Sequence, residues 1–296
     1  MDTKHAPAMR QAPAHYRLKA GDLRVTAVCD GYLTLPHTLF PAATEKHAAD
    51  LSRAAFTTPG PVPTAINAFA IEADDRLILV DAGVGPFRGP ATGRMAEEMR
   101  VAGLDPARVS AVLLTHMHGD HCGGLVDAAG GRMFPNATVL MAGSEHRFWS
   151  DPGLAARMPE AMQPTIRVVI QALAAYRDRT STFSPGTEIA AGIRSVPLPG
   201  HTPGHTGFIL GTGNDPLFVW ADIVHVAAYQ FAHPEWGLAF DVDQVEAAST
   251  RTRILDQVAS DRLRIAGMHL AFPGTGHVVQ DGTGYCYVPA PWQPLD

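Results

Sequence analysis

Near the middle of the chain, six residues read His116-Met117-His118-Gly119-Asp120-His121, directly after the apolar run Ala111–Leu114. Three imidazoles and a carboxylate this close together cannot share one face of a regular element. On a loop leaving a strand they can converge. A His-x-His pair puts two rings on the same side of extended backbone, and Asp120 and His121, past the turn at Gly119, reach a second point nearby. Neutral imidazole with carboxylate suits Zn²⁺, Mn²⁺, Fe or Co²⁺, and the set contains no thiolate. Three more ligand-type residues lie further on. His201 sits in Pro199-Gly200-His201-Thr202-Pro203-Gly204-His205-Thr206, Asp222 follows Leu217–Trp220, and His269 follows Leu263–Gly267. Each stands at or just beyond the C-terminal end of an apolar run, where open α/β sheets place their sites. A lone histidine after a strand is more often structural; the four placements together describe a metal site.

The elements that must position these residues follow from the apolar pattern. Leu23–Leu35 alternates on either side of Asp30-Gly31 and reads as a β-hairpin. Residues 41–54 read as a short helix or loop, and Pro59, Pro61 and Pro63 as an extended link. Ile66–Ile71 and Leu77–Val80 are strands, the second leaving through Asp81-Ala82-Gly83-Val84-Gly85. Arg94–Val101 is a helix, and Asp105-Pro106 caps a short turn. Thr138–Met141 is a strand, Ser144–Ser150 a helix capped by Ser144, and Thr165–Tyr176 a helix with a shared apolar face. Ile193–Leu198, Gly207–Leu210, Leu217–Trp220, Leu263–Gly267 and Gly284–Val288 are strands, and Val242–Val258 is a helix. Strands then helices, in two rounds, fit an α/β sandwich with helices outside.

Composition removes other classes. The chain has 296 residues, 46% hydrophobic and 18% charged, with a formal charge of −6, so it is globular and lacks the basic balance of a non-specific nucleic-acid binder. Three scattered cysteines make no disulfide framework. No apolar run is long enough for a membrane span. Residues 1–20 read as a flexible lead-in without the apolar core of a signal peptide, so a cytoplasmic protein is expected. Residues 21–296 are expected to be one domain. Of the 14 histidines, His5, His15, His37, His47, His146 and His233 fall in no pattern and read as surface or satisfied residues.

The chain resembles the metallo-β-lactamase-fold hydrolases, and within them the methyl parathion hydrolases and their lactonase relatives. The likeness runs roughly from Leu23 to Val288 and rests on Leu114–Gly124, Gly200–Thr206, Asp222–Phe231, His269–His277 and Gly284–Pro289. It implies an αββα four-layer sandwich, a dinuclear site and a homodimer. It places His116, His118 and His201 on one metal and Asp120, His121 and His269 on the other. Asp222 bridges both, with a water or hydroxide as second bridge, and Asp120 and Asp222 are the catalytic carboxylates. Zinc is the expected ion, with Mn, Fe or Co as alternatives. Two such cations lower the pKa of a shared water from 15.7 toward ~7 and polarise a C=O or P=O oxygen. Ala221 stands where the family usually has glycine, a small departure.

The resemblance also makes Asp81 a support for a ligand histidine, and lines the pocket with Phe87, Trp149, His225, Phe231 and Phe240. His205 reads as structural and Cys122 as a buried small side chain. An apolar, aromatic pocket fits a small neutral ester or lactone, with organophosphate triesters as a side activity. Members specialised for organophosphates open this wall with smaller or aliphatic residues, so a primary organophosphate hydrolase is the first alternative. A glyoxalase II-like thioesterase is the second, although only 27 residues follow His269 to build its usual helical substrate domain. A non-catalytic metal-binding scaffold is the reading from another class.

Overall fold

A computed structural model describes residues 14–87, 89 and 91–294. Its strands are β1 (His15–Ala20), β2 (Leu23–Leu35), β3 (Val62–Ala73), β4 (Arg76–Val80), β5 (Val109–Leu113), β6 (Thr138–Ala142) and β7 (Thr180–Phe183), then β8 (Glu188–Ala190), β9 (Ile193–Pro197), β10 (Thr206–Leu210), β11 (Leu217–Val219), β12 (Arg264–Ala266), β13 (Thr275–Asp281) and β14 (Gly284–Pro289). The helices are α1 (Glu45–Ala54), α2 (Met95–Val101), α3 (Gly119–Cys122), α4 (Gly143–Trp149), α5 (Leu154–Arg157), α6 (Gln163–Ala175), α7 (Ala227–Gln230) and α8 (Gln244–Ser260).

β1 to β7 form one seven-stranded sheet in sequence order, and β14 back to β8 form a second. β4 through β7 run parallel, as do β11 and β12; the other pairings are antiparallel.

The four layers follow from the period of the strands. On β4, Leu77 and Leu79 face the helices around α2 and α6, while Ile78 and Val80 face the second sheet. On β3, Ala68 and Ala70 point outward while Phe69 and Ile71 point inward to meet Phe208, Val219 and Met268. On β11, Phe218 turns to Ile254, Leu255 and Val258 of α8, and its neighbours Leu217 and Val219 turn to the first sheet. Both faces of these strands are covered, which is why they read as continuous apolar runs. The layer order is α, β, β, α.

Three expectations change. Leu23–Leu35 is not a hairpin but one long strand, bulged between Cys29 and Gly31 and paired to β1 on one side and β3 on the other. The Asp30 carboxylate accepts from the backbone N–H groups of Val84, Gly93 and Met95, so its role is to hold distant loops. Gly31 has φ 137° and packs against the Ala91 backbone, where a Cβ would collide. Residues 15–20 of the expected lead-in form β1; residues 1–13 lie outside the described residues. Ser144 does not cap its helix, which begins one residue earlier with Ala142 at the N-cap. Asp105 and Asp243 do cap, accepting from Ala107 and Glu246. Among the described residues no helix is long and apolar enough to cross a membrane.

Candidate metal centre

β5 delivers the His-x-His-x-Asp-His segment, β9 leads to His201, β11 to Asp222 and β12 to His269, so the ligand-type residues leave both sheets at one end of the sandwich. His116 Nε2 lies 3.1 Å from His118 Nδ1, which lies 2.9 Å from His201 Nε2. Asp120 Oδ2 is 3.9 Å from His121 Nε2 and 3.7 Å from His269 Nε2. Asp222 Oδ2 stands between the two groups, facing the Nε2 atoms of His225, His121, His269, His201 and His116 at 3.0, 3.2, 3.2, 3.3 and 3.6 Å.

One carboxylate oxygen cannot satisfy five ring nitrogens. The buried atoms His121 Nε2 and Asp222 Oδ1 meet no hydrogen-bond criterion with any partner, a cost a protein core does not normally carry. A donor set of neutral imidazoles and carboxylates at this separation suits divalent cations.

The backs of four rings are fixed by an oxygen. His121 Nδ1 is 2.7 Å from Asp81 Oδ2, and His201 Nδ1 is 2.6 Å from Asp241 Oδ1. His269 Nδ1 donates to the Ala65 carbonyl at 2.9 Å, and His116 Nδ1 to Thr115 Oγ1 at 3.0 Å. Thr115 in turn donates its hydroxyl and its backbone N–H to Asp81, both at 2.8 Å. With Nδ1 protonated in each ring, the Nε2 lone pairs point at the centre. His118 is reversed: Nδ1 faces the cluster.

The chain's own charges polarise the cluster. Burial, with the neighbouring imidazoles, holds His116 and His118 well below the usual histidine range. Burial also acts on His201, but Asp222 and Asp241 overcome it and raise that ring to about 9. For Asp222, burial is outweighed by His121, His269, His225 and His116, which keep the carboxyl well below its ordinary range.

Three residues outside the sequence expectations hold the loops. Glu145, fully buried on α4, accepts from Met117 N (2.9 Å) and Trp149 Nε1 (2.6 Å) with one oxygen and from Thr202 Oγ1 (2.7 Å) and Gly204 N (3.0 Å) with the other. A Cβ on Gly204 would sit 2.3 Å from the Glu145 nitrogen, so only glycine fits there. Asp241 also accepts from Leu238 N at 2.7 Å. Arg251 on α8 donates to the carbonyls of Ile223, Pro234 and Trp236, holding the same segment. Nothing in the local pattern separates Glu145 from a surface helix residue; Asp241, just ahead of a capped helix, resembles a turn residue. His205 donates from Nδ1 to Leu198 O at 2.8 Å and accepts from Asp222 N at 3.1 Å, burial pushing its ring down to about 3. Cys122 is buried, with Sγ on Met117 O.

A cavity of about 300 Å³ opens over the cluster. His118, Asp120, His201, Asp222, His225 and His269 line its floor, and Leu33, Leu35, Leu39, Met162, Leu238 and Phe240 its walls. Among the described residues, no lysine or arginine lines it. His225 and Phe240 are where the pocket was expected, but Phe87, Trp149 and Phe231 are not in its wall. Phe87 is partly exposed in a neighbouring depression with Gly119 and Thr165. Trp149 packs behind His118, its ring 5.7 Å away and edge-on. Phe231 lies in the core between the second sheet and α8, against Trp220 and Tyr287. The bend of β2 and the segment ahead of α8 supply the wall instead, and it is mostly aliphatic.

Known proteins share this fold. AbOPH, a hydrolase of the β-lactamase superfamily, superposes with a TM-score of 0.90 at 33% identity, covering 96% of this chain and 100% of its own. AidC, a dizinc quorum-quenching lactonase, superposes at 0.89 with 26% identity, covering 95% and 99%. The N-acyl homoserine lactonase AttM of Agrobacterium fabrum (strain C58 / ATCC 33970) is 30% identical over 144 residues, 47% of this chain and 49% of AttM. The matched stretch spans about half the length of the curated relatives. The profile of the Metallo-beta-lactamase superfamily matches residues 61–269, a span that takes in every ligand-type residue from His116 to His269. Sequence, layer order and the convergence of these side chains at one end of the sandwich agree, and the chain belongs to the metallo-β-lactamase superfamily.

Proposed function

We propose that this protein is a dinuclear metal-dependent hydrolase of lactones and neutral aryl esters. The observation that carries the substrate class is the cavity: it stands directly on the histidine–aspartate cluster, its walls are mostly aliphatic, and among the described residues no lysine or arginine lines it. Such a pocket welcomes an uncharged ester with an acyl chain and offers nothing to a free carboxylate or phosphate tail.

His116, His118 and His201 would hold one ion and Asp120, His121 and His269 the other, with Asp222 between them; zinc fits the donor set, and AidC is itself a dizinc protein. When bound, the ions supply Lewis acidity and a hydroxide nucleophile at neutral pH. Around them the chain's work is orientation. Asp81, Thr115, Asp241 and the Ala65 carbonyl fix the ring tautomers, while Leu35, Leu238 and Phe240 exclude water from the scissile bond. Asp120 and Asp222 are the two carboxylates that line the cavity, which supports a part for both in the reaction. The lactonase names of AttM and AidC support the reading.

A second reading, organophosphate triester hydrolysis as the main activity, is favoured by one observation: three of the expected aromatics are absent from the wall. Turnover on dihydrocoumarin, an N-acyl homoserine lactone, methyl parathion and a glutathione thioester, with metal quantified and with or without chelator, separates these. Fast lactone hydrolysis, lost on chelation and restored by zinc, is the expected result. Preference for methyl parathion would replace the first reading by the second. Preference for the thioester, or no turnover with two ions bound, would overturn both.

A further inference from the structure

One more pair of imidazoles meets nitrogen to nitrogen outside the cavity. His47 on α1 and His233 just after α7 bring their Nε2 atoms to 3.1 Å. Within the candidate centre, His116 Nε2 and His118 Nδ1 are separated by the same 3.1 Å. Two ligand nitrogens on a tetrahedral ion with 2.0–2.1 Å bonds stand about 3.3 Å apart, so the pair is already spaced as one edge of a coordination shell.

The rings are held in place. Glu235 Oε1 lies 3.1 Å from His233 Nδ1, the carboxylate–histidine pairing that puts the proton on Nδ1 and leaves the Nε2 lone pair facing outward. Trp236 stacks on His233 at 4.5 Å and 12° and meets His47 edge-on at 5.1 Å. Little side-chain ordering remains to be paid on binding. His47 is exposed and the His233 side chain is 28% exposed, so water can complete the shell.

We propose that His47 and His233 form a peripheral site for a borderline divalent ion such as Zn²⁺, Ni²⁺ or Cu²⁺, with Glu235 orienting His233. The site is independent of the substrate reading above. It sits where α1 packs on the segment after α7: Phe40, Tyr229, Trp236 and Leu238 share one apolar cluster. Leu39, ahead of α1, and Leu238, beyond Trp236, both line the cavity. An ion on the pair ties these two walls together.

The test uses zinc-loaded full-length protein, whose bound zinc is silent in electron paramagnetic resonance. One equivalent of Cu²⁺ is added, the sample is desalted, and the spectrum is read for hyperfine coupling to imidazole nitrogen. The wild type should retain copper with that coupling. His47→Gln and His233→Gln should each lose it, Glu235→Gln should weaken retention by about 10–100-fold, and His146→Gln should leave it unchanged. Zinc content should be the same in all variants. An unchanged copper spectrum in either histidine variant, or a wild type that retains no copper, overturns the proposal. Because the copper readout is separate from zinc content and turnover, failure of the hydrolase reading would be seen on its own.

Discussion

A single buried carboxylate, Glu145, fastens the loop carrying His116 and His118 to the loop carrying His201. It accepts four hydrogen bonds, two on each oxygen. Glu145→Gln turns one acceptor into a donor and leaves at least two buried donors unmatched, each costing about 1–3 kcal/mol. The effect should fall on the first ligand group. Zinc affinity there should drop about 10–100-fold, while the group backed by Asp81 holds. Titration against a chromophoric chelator should show one ion leaving well before the other; a wild-type titration curve would contradict this role. His225 is the second residue to probe. It lines the cavity, reaches Asp222 at 3.0 Å, and keeps a buried Nδ1 without a partner. His225→Leu should raise the ratio of methyl parathion to lactone turnover, and an unchanged ratio would remove His225 from substrate selection.

At the scale of the element, the exit from β11 sets where Asp222 stands. Trp220 N donates to Ala266 O at 3.0 Å, then Ala221 takes φ 54°, turning the chain so that Asp222 enters the cluster. The left-handed conformation costs a non-glycine residue roughly 1–2 kcal/mol. The buried methyl returns about 0.8 kcal/mol, and alanine loses about 0.4–1 kcal/mol less chain entropy than glycine would on folding. These terms nearly cancel, which explains why alanine is tolerated at this corner. Ala221→Gly should therefore change stability by less than about 1 kcal/mol. Ala221→Val adds overpacking of about 1–3 kcal/mol to a conformation poor for a β-branched residue. Urea unfolding of the two variants should separate them clearly; equal midpoints would mean that the corner relaxes.

At the scale of the whole molecule, the candidate centre joins two sheets built from opposite halves of the chain. His116 to His121 follow β5 in the first sheet; His201, Asp222 and His269 follow strands of the second. Bound ions would staple the sheets at one end, and their removal would leave five imidazole nitrogens around one carboxylate oxygen. Chelation should lower Tm. Free zinc at one hundred times its Kd restores about 2.7 kcal/mol per site, which means several degrees for a chain of this size. Zinc affinity should also weaken as pH falls through the histidine range, because protons compete for the ligand nitrogens. Equal Tm values with and without metal would show that the sheets hold together without the centre.

The residues that meet at the candidate centre were legible in the sequence because metal-binding chemistry depends on residue type and short spacing. His116 to His121 lie within six positions, and His201, Asp222 and His269 each follow an apolar run. The layered fold was legible for a related reason: strands covered on both faces, such as Leu77–Val80, read as unbroken apolar runs. What the tertiary structure decided was which distant residues meet. Asp30-Gly31 has the local chemistry of a hairpin turn, yet the Asp30 carboxylate serves loops 54–65 residues away. Glu145 and Asp241 reach Met117 and His201 across 28 and 40 positions. Phe231 and Phe240 are both apolar aromatics in the same stretch of chain, but one fills the core and the other lines the cavity. Sequence records whether a side chain avoids water. Which buried surface receives it depends on the packing of elements far apart in the chain, and only the folded structure supplies that.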